Sequence, residues 1–249
     1  MAVILKSRRE IALMRQTGRI VAVTLALLIE KIKPGITTGE LDAVAYRAIV
    51  GQGAKPSFKG YRGFPASLCV SINEEVVHGI PGKRVLQEGD IVSLDLGAIY
   101  QGFQGDAAVT VGVGKVSSQA QALMEAARLA LEAGIAASRA GNRVGDISWA
   151  IQSAAESRGF SVVRQYVGHG IGRDMHEEPQ IPNFGSPGQG IPLRTGMTFA
   201  LEPMVNAGTY EVEVKGDAWT VVTKDGGLSA HYEHTVSVTD GEPEILTRM

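Results

Sequence analysis

The chain has 249 residues, 44% of them hydrophobic and 20% charged, with a net charge of −2. That composition excludes a disordered or fibrous protein, and the length is enough to bury a sizeable core in one large domain or two small ones. No basic stripe supports stable nucleic-acid binding, and the single cysteine, Cys69, rules out an intrachain disulfide and points to a reducing cytoplasm.

An apolar run over residues 20–29 follows Arg15 and Arg19 like the core of a signal peptide. It is too short to span a bilayer, and "EKIKPG" follows where a small-residue cleavage site would stand, so neither a membrane nor secretion is expected. Ser7 and Glu10 form a capping box that opens a helix over residues 7–32, ended by Pro34 and Gly35. Thr37 and Glu40 form a second box, opening a helix toward Val50. Residues 67–72 and 91–111 read as strand, and Gln101-Gly102 breaks the longer run into a hairpin. Ser118 and Gln121 cap a helix through about Ala137, and another runs over residues 144–157. Strands are expected near 161–167, 197–205, 210–214, 218–223 and 232–238.

That order repeats itself: two helices then strands, twice. Gly35, Gly39, Leu41 and Gly53 match Gly141, Gly145, Ile147 and Gly159 at one constant offset. One residue further out of step, "LQEGDIVSLD" matches "LRTGMTFALE", ending on Asp95 and Glu202. The expectation is an α+β fold made of two pseudo-symmetric αα-ββ halves, about 1–113 and 114–249, in one catalytic domain spanning 1–249. Two such halves bury their apolar sheet faces against helices and each other. A site between them receives one acid from each.

The acids are misplaced for ordinary strands. In "IVSLDLG", Val92, Leu94 and Leu96 share one face, and Asp95 lies on the other with Ser93. Asp106 sits across the hairpin, Glu202 in the apolar "MTFALEPMV", and Glu233 off the parity of Val236 and Val238. A pair of aspartates on a hairpin reads by itself as solvated surface. Four carboxylates in or beside strands do not, because Asp and Glu are depleted there and buried ones need a partner. His169 stands between Gly168 and Gly170, where backbone approaches closely. Four carboxylates and one imidazole form a hard donor set suited to Mn, Fe(II), Co or Mg. Their charge fits two divalent ions about 3.5–4 Å apart better than one. The glycines of "GHGIGR" do not make a nucleotide loop, since Pro179 and Pro182 follow instead of a helix.

The segments "CVSINEEVVHGIP", "DLGAIYQGFQGDAAVT", "GHGIGRDMHEEPQIPNF", "GMTFALEPM" and "SAHYEHTVSVT" together resemble the type I methionine aminopeptidases over essentially the whole chain. The resemblance implies the pita-bread fold, with a central antiparallel sheet and helices on its outer face. It implies two divalent metal ions, Mn, Fe(II) or Co, held by Asp95, Asp106, His169, Glu202 and Glu233, with Asp106 and Glu233 bridging. His78 and His176 match family histidines that contact substrate without binding metal. His231 and His234 have no such role and are read as surface strand residues or as neighbours of the ligands.

By the same resemblance a methionine pocket is lined by Tyr61, Phe64, Cys69 and Trp219, while Phe58 fits the pocket and ordinary core packing alike. Met175 stands where a phenylalanine is common and keeps the wall apolar. The implied activity removes the N-terminal methionine from newly made proteins and peptides with a small second residue, by attack of a metal-bridging hydroxide. Glu202 shuttles the proton, His176 donates to the oxyanion and His78 holds the second residue's amide. The chain lacks the type II insertion between His176 and Glu202 and an N-terminal zinc-finger extension, as in the minimal bacterial form, and a monomer is expected. Lys6, Arg8 and Arg9 fit a transient ribosome contact or simply a solvated helix start.

Two rivals remain on sequence grounds. A proline-specific peptidase of the same fold usually carries an added N-terminal domain, for which no room precedes residue 60. A binding module that has lost catalysis would not retain all five donors.

Overall fold

The computed structural model describes residues 2–249. Helices α1 (Arg8–Lys31) and α2 (Thr38–Gly51) open the chain. Ser7 and Thr37 cap them, accepting the Glu10 and Glu40 amides at 3.3 and 3.2 Å, and each glutamate returns to the cap backbone. Then come β1 (Lys55–Pro56), a 3-10 turn at Tyr61–Gly63, β2 (Cys69–Ile72), β3 (Glu75–Val77), β4 (Ile91–Tyr100) and β5 (Phe103–Gly112). Gln101 and Gly102, at φ 49° and 80°, make a two-residue hairpin turn, in which Gly102 is the residue type suited to a positive φ.

The second half repeats the order with α3 (Ser118–Ala137) and α4 (Val144–Glu156). Its strands are β6 (Ser161–Val162), β7 (Gly168–Gly170), β8 (Glu177–Ile181), β9 (Thr198–Leu201) and β10 (Met204–Asn206). They continue with β11 (Val212–Val214), β12 (Val221–Thr223), β13 (Ser229–His231), β14 (Glu233–Ser237) and β15 (Glu244–Ile245). The duplication is visible atom by atom. Gly35 and Gly141 have φ of 94° and 95°, and Gly89 and Gly196 have 93° and 92°. Leu86 N donates to Ile36 O at 2.9 Å, and Leu193 N to Asn142 O at 2.7 Å.

Several boundaries differ from expectation. Ser117, not Ser118, is the α3 cap, because its hydroxyl accepts the Ala120 amide at 3.1 Å. The strand expected over 161–167 is only β6, and the one over 197–205 divides into β9 and β10 at Glu202-Pro203. Pro203 has no N–H to continue a ladder. Strand β8 was not foreseen, since its Pro179 argues against a strand.

The main sheet runs β1-β4-β5-β14-β9-β7-β8, with β2 also on β4 and β15 on β14. Its helix side carries two cores. In the first half Leu94, Leu96 and Ala107 pack with Val21, Leu25 and Leu28 of α1. In the second Phe199, Leu201 and Val236 pack with Leu123, Ala127 and Ala130 of α3. Burying each large apolar side chain is worth about 1.5–3 kcal/mol. Helix α1 is long and apolar enough to cross a membrane by length and composition, but Met14, Val21 and Leu28 are fully buried in this fold. Period-2 alternation sends the alternate residues of β4, β5 and β14 to the opposite face, where the acids gather.

Candidate active site

Four strands and the residue that follows a fifth bring five metal-ligand-type side chains together. Asp95 (β4) and Glu233 (β14) are both register partners of Ala108 on β5, which lies between them. Asp106 is two residues away along β5, opposite Gly97. His169 (β7) and Thr235 (β14) are both partners of Ala200 on β9. Glu202 follows the last residue of β9, on the same side as Ala200. Ligand atoms of Asp106, His169 and Glu233 lie within 4.8 Å of one another, and Glu202 Oε1 is 3.5 Å from His169 Nε2. All five residues line one cavity.

The electrostatics are those of a site awaiting positive charge. Burial and the Asp106 charge push the Asp95 carboxyl well up, and burial pushes Asp106 to about 7. Glu202 and Glu233 are also raised well above the ordinary carboxylate range, by burial first and then by the neighbouring acids. Among the described residues, no lysine or arginine pairs with any of the four. Asp95 Oδ1 and Asp106 Oδ1 are buried with no hydrogen-bond partner. Such orphaned oxygens are costly alone and suit a hard divalent cation.

His169 completes the donor set by its tautomer. Its Nδ1–H donates to Gly170 O at 2.8 Å, which leaves the Nε2 lone pair facing Glu202. Burial lowers its pKa to about 3, so it stays neutral. Gly168 and Gly170 are required by close packing. A Cβ on Gly168 would meet Ala200 O at 2.5 Å, and one on Gly170 would collide with Glu178 O.

The cavity, of about 150 Å³, continues from the acids into an apolar end. Phe58, Tyr61, Phe64, Cys69, Met175 and Trp219 all line it, with His78 and His176. Phe64 and Trp219 meet edge to face at 5.1 Å, and Met175 is 3% exposed. Phe58 lines the cavity and also packs with Met175 and Cys69. A Cβ on Gly97 would stand 3.0–3.1 Å from Ser57, Met175 and Phe58, so glycine keeps this wall open. His78 takes a φ of 61° and lies edge-on to Trp219 and Tyr166. Burial holds its pKa down at about 4. His176 pairs through Nδ1 with the Tyr61 hydroxyl at 2.8 Å, and its ring centroid is 4.2 Å from that of His169.

Four residues around the site need separate mention. Arg62, which no pattern in the sequence marks, lies at the cavity rim beside Tyr61. Of the two readings offered for His231, the structure has the neighbour of an acid and not the surface residue: it is 1% exposed, with Nε2 3.9 Å from Glu233 Oε2. Lys6 is not solvated either, being 7% exposed. His234, half-buried, pairs through Nδ1 with the Thr247 hydroxyl at 2.9 Å and does not line the cavity.

A carboxylate-rich metal cradle opening into an apolar pocket, on a duplicated αα-ββ frame, defines a metallopeptidase of the pita-bread type. The model of metallopeptidase family M24 matches residues 12–240. The chain is 54% identical over 246 residues to methionine aminopeptidase of Clostridium acetobutylicum, covering 98% of both chains. It is 53% identical to methionine aminopeptidase 1 of Bacillus subtilis, over 99% of this chain and all of that one. The solved methionine aminopeptidase of Thermotoga maritima superposes with a TM-score of 0.98 at 48% identity, each chain fully covered. The chain belongs to metallopeptidase family M24 and, within it, to the methionine aminopeptidases. Prolidase of Pyrococcus furiosus shares the fold at a TM-score of 0.81 and 22% identity, with 99% of this chain but 66% of that one covered.

Proposed function

We propose that the chain removes N-terminal methionine from peptides and newly made proteins, preferring a small second residue, and works with two divalent ions. The observation that carries this reading is the sharing of one cavity by five converging donors and an apolar, aromatic-walled end. Asp95, Asp106, His169, Glu202 and Glu233 would hold the ions. When bound, the ions supply Lewis acidity, lowering the pKa of water and polarising a carbonyl.

The chain's own groups do the rest. The apolar end takes the methionine side chain, and Met175 and Phe58 follow its shape. Glu202, with 15% of its side chain exposed, is the most open of the acids whose exposure bears on the site and carries the proton toward the leaving amine. Tyr61 O–H donating to His176 Nδ1 leaves the Nε2–H free to donate to the developing oxyanion. Burial, and then the Arg62 charge, lower the His176 pKa and favour the neutral imidazole. His78, also neutral, holds the amide of the second residue. A buried, unpaired Cys69 fits a reducing cytoplasm, where a monomer would meet nascent chains.

Relative rates on Met-Ala-Ser and Ala-Pro-Ser test the assignment. Cleavage of the first and not the second is expected. The reverse would make this a proline-specific peptidase.

A further inference from the structure

The N-terminal strap before α1 has its burial inverted. Ile4 and Leu5 are 57% and 49% exposed, while Lys6 between them and α1 is 7% exposed. Hydrophobic burial alone would place them the other way round. Lys6 Nζ forms an ion pair with Glu177, and the two side chains are only 4% and 5% exposed. Lys6 also donates to Ile4 O at 3.1 Å, and its backbone N donates to Gly196 O at 2.7 Å, fixing the strap to the body.

The other end of this ion pair lies in the turn that carries two pocket residues. Glu177 Oε1 accepts the Arg173 amide at 2.9 Å and the Asp174 amide at 3.3 Å. That folds residues 172–177 around one carboxylate, with Met175 and His176 on the turn. The fit is tight: a Cβ on Gly172 would collide with Lys6 Cε and stand 2.6 Å from Glu177 Oε1. Burying an ion pair costs desolvation that its attraction barely offsets, so it is weak as a stabiliser and strong as a locator. Removing Lys6 leaves the buried Glu177 carboxylate without its counter-ion, held only by the two turn amides.

We propose that Lys6 is a positioning residue: through its buried ion pair with Glu177 it sets the 172–177 turn so that His176 presents its imidazole to the substrate carbonyl. This rests on the role proposed for His176. A group on a turn loses most of its transition-state contact when displaced by about 1 Å, so the shell that holds it decides the rate.

The test is a double-mutant cycle on the metal-loaded full chain with Met-Ala-Ser. Lys6→Met is expected to lower kcat about 10- to 100-fold, with KM within about twofold and bound metal unchanged. Lys6→Arg, which keeps the charge, should retain most of the rate. Amide hydrogen exchange over residues 172–177 should speed up in Lys6→Met and not in Lys6→Arg. In a His176→Ala background, Lys6→Met should cost less than about twofold further, because the group it positions is gone. Glu177→Gln serves the same cycle if Lys6→Met does not fold, since glutamine keeps an acceptor for the Arg173 amide. An equal Lys6→Met loss with and without His176 overturns the positioning role alone. A His176→Ala variant as fast as the unaltered chain overturns the reading of His176, and this one with it.

Discussion

Asp95 and Glu233 face each other across a single residue, Ala108, on the strand between them. Two buried carboxylates on one row repel unless a cation stands between them, and Asp106 and Glu202 add to the repulsion. Asp106→Asn removes one of these charges from the metal-free protein. At pH 8 that variant should unfold at a higher temperature than the unaltered metal-free chain, by on the order of 1–2 kcal/mol in stability. It should lose bound metal and activity together. Thermal unfolding with and without a chelator, alongside metal analysis, reads both. An active, metal-replete variant would refute the ligand assignment.

The pH dependence of the metal-free protein follows from opposite shifts. Asp106 is raised to about 7, so its contribution to stability is whole below pH 3.8 and lost as pH rises through 7. The other three carboxylates are raised as well and act in the same sense. His169, His231 and His78 are lowered from 6.5 to about 3, about 3 and about 4. Their contribution is whole above pH 6.5 and is lost as pH falls through those values. Above pH 6.5 the carboxylates therefore act alone. Calorimetry should show the metal-free Tm falling from pH 6.5 to 8.5 while the metal-loaded Tm holds. Metal uptake in that window should release protons and tighten with pH. A metal-free Tm that climbs with pH would refute the shared burial of the acids.

His176 and His78 line the same cavity as the four acids and His169. His176→Ala should lower kcat by about 10²- to 10³-fold, the usual loss for one oxyanion donor, with metal content unchanged. His78→Ala should act mainly through KM, as loss of a group that holds the substrate amide in ground and transition states alike. Steady-state kinetics with parallel metal analysis separate these outcomes. Metal loss in His176→Ala would make that residue a ligand.

Met175 closes the apolar wall at 3% exposure, packed with Met14, Phe103 and Leu246. Met175→Ala should cost about 2–4 kcal/mol in stability through the cavity it leaves. It should also raise KM for Met-Ala-Ser more than kcat falls, because the methionine side chain loses a contact made throughout the reaction. Denaturant melts and kinetics on the one variant read both. An unchanged KM would place Met175 in the core only.

The frame was legible where local chemistry decides it. Capping boxes at Ser7 and Thr37, the Gln101-Gly102 turn and the paired glycines at Gly35 and Gly141 each act within a few residues. The convergence of the four acids in one cavity was legible because acids inside apolar strands are costly enough to need a reason. What escaped depends on distant chain. Strand β8 holds its Pro179 because it is an edge strand and Pro179 falls at the register break opposite His169 and Gly170, and Glu202-Pro203 breaks a run that reads as continuous. Pairing across 171 positions buries Lys6 with Glu177, which no window of sequence displays. The same holds for His231, whose depth comes from β10 and Thr110 rather than from its own strand.

The central claim is that Asp95, Asp106, His169, Glu202 and Glu233 hold the ions the activity requires. Anaerobic titration of the metal-free chain with Mn(II), Fe(II) or Co(II) tests it, with bound metal and Met-Ala-Ser cleavage measured at each step. Activity should be absent without metal, rise with uptake and level off by about two equivalents, as a dinuclear site requires. Asp106→Ala should abolish uptake and cleavage in the same titration. Full cleavage by a chain carrying no metal, or by Asp106→Ala, would contradict the account.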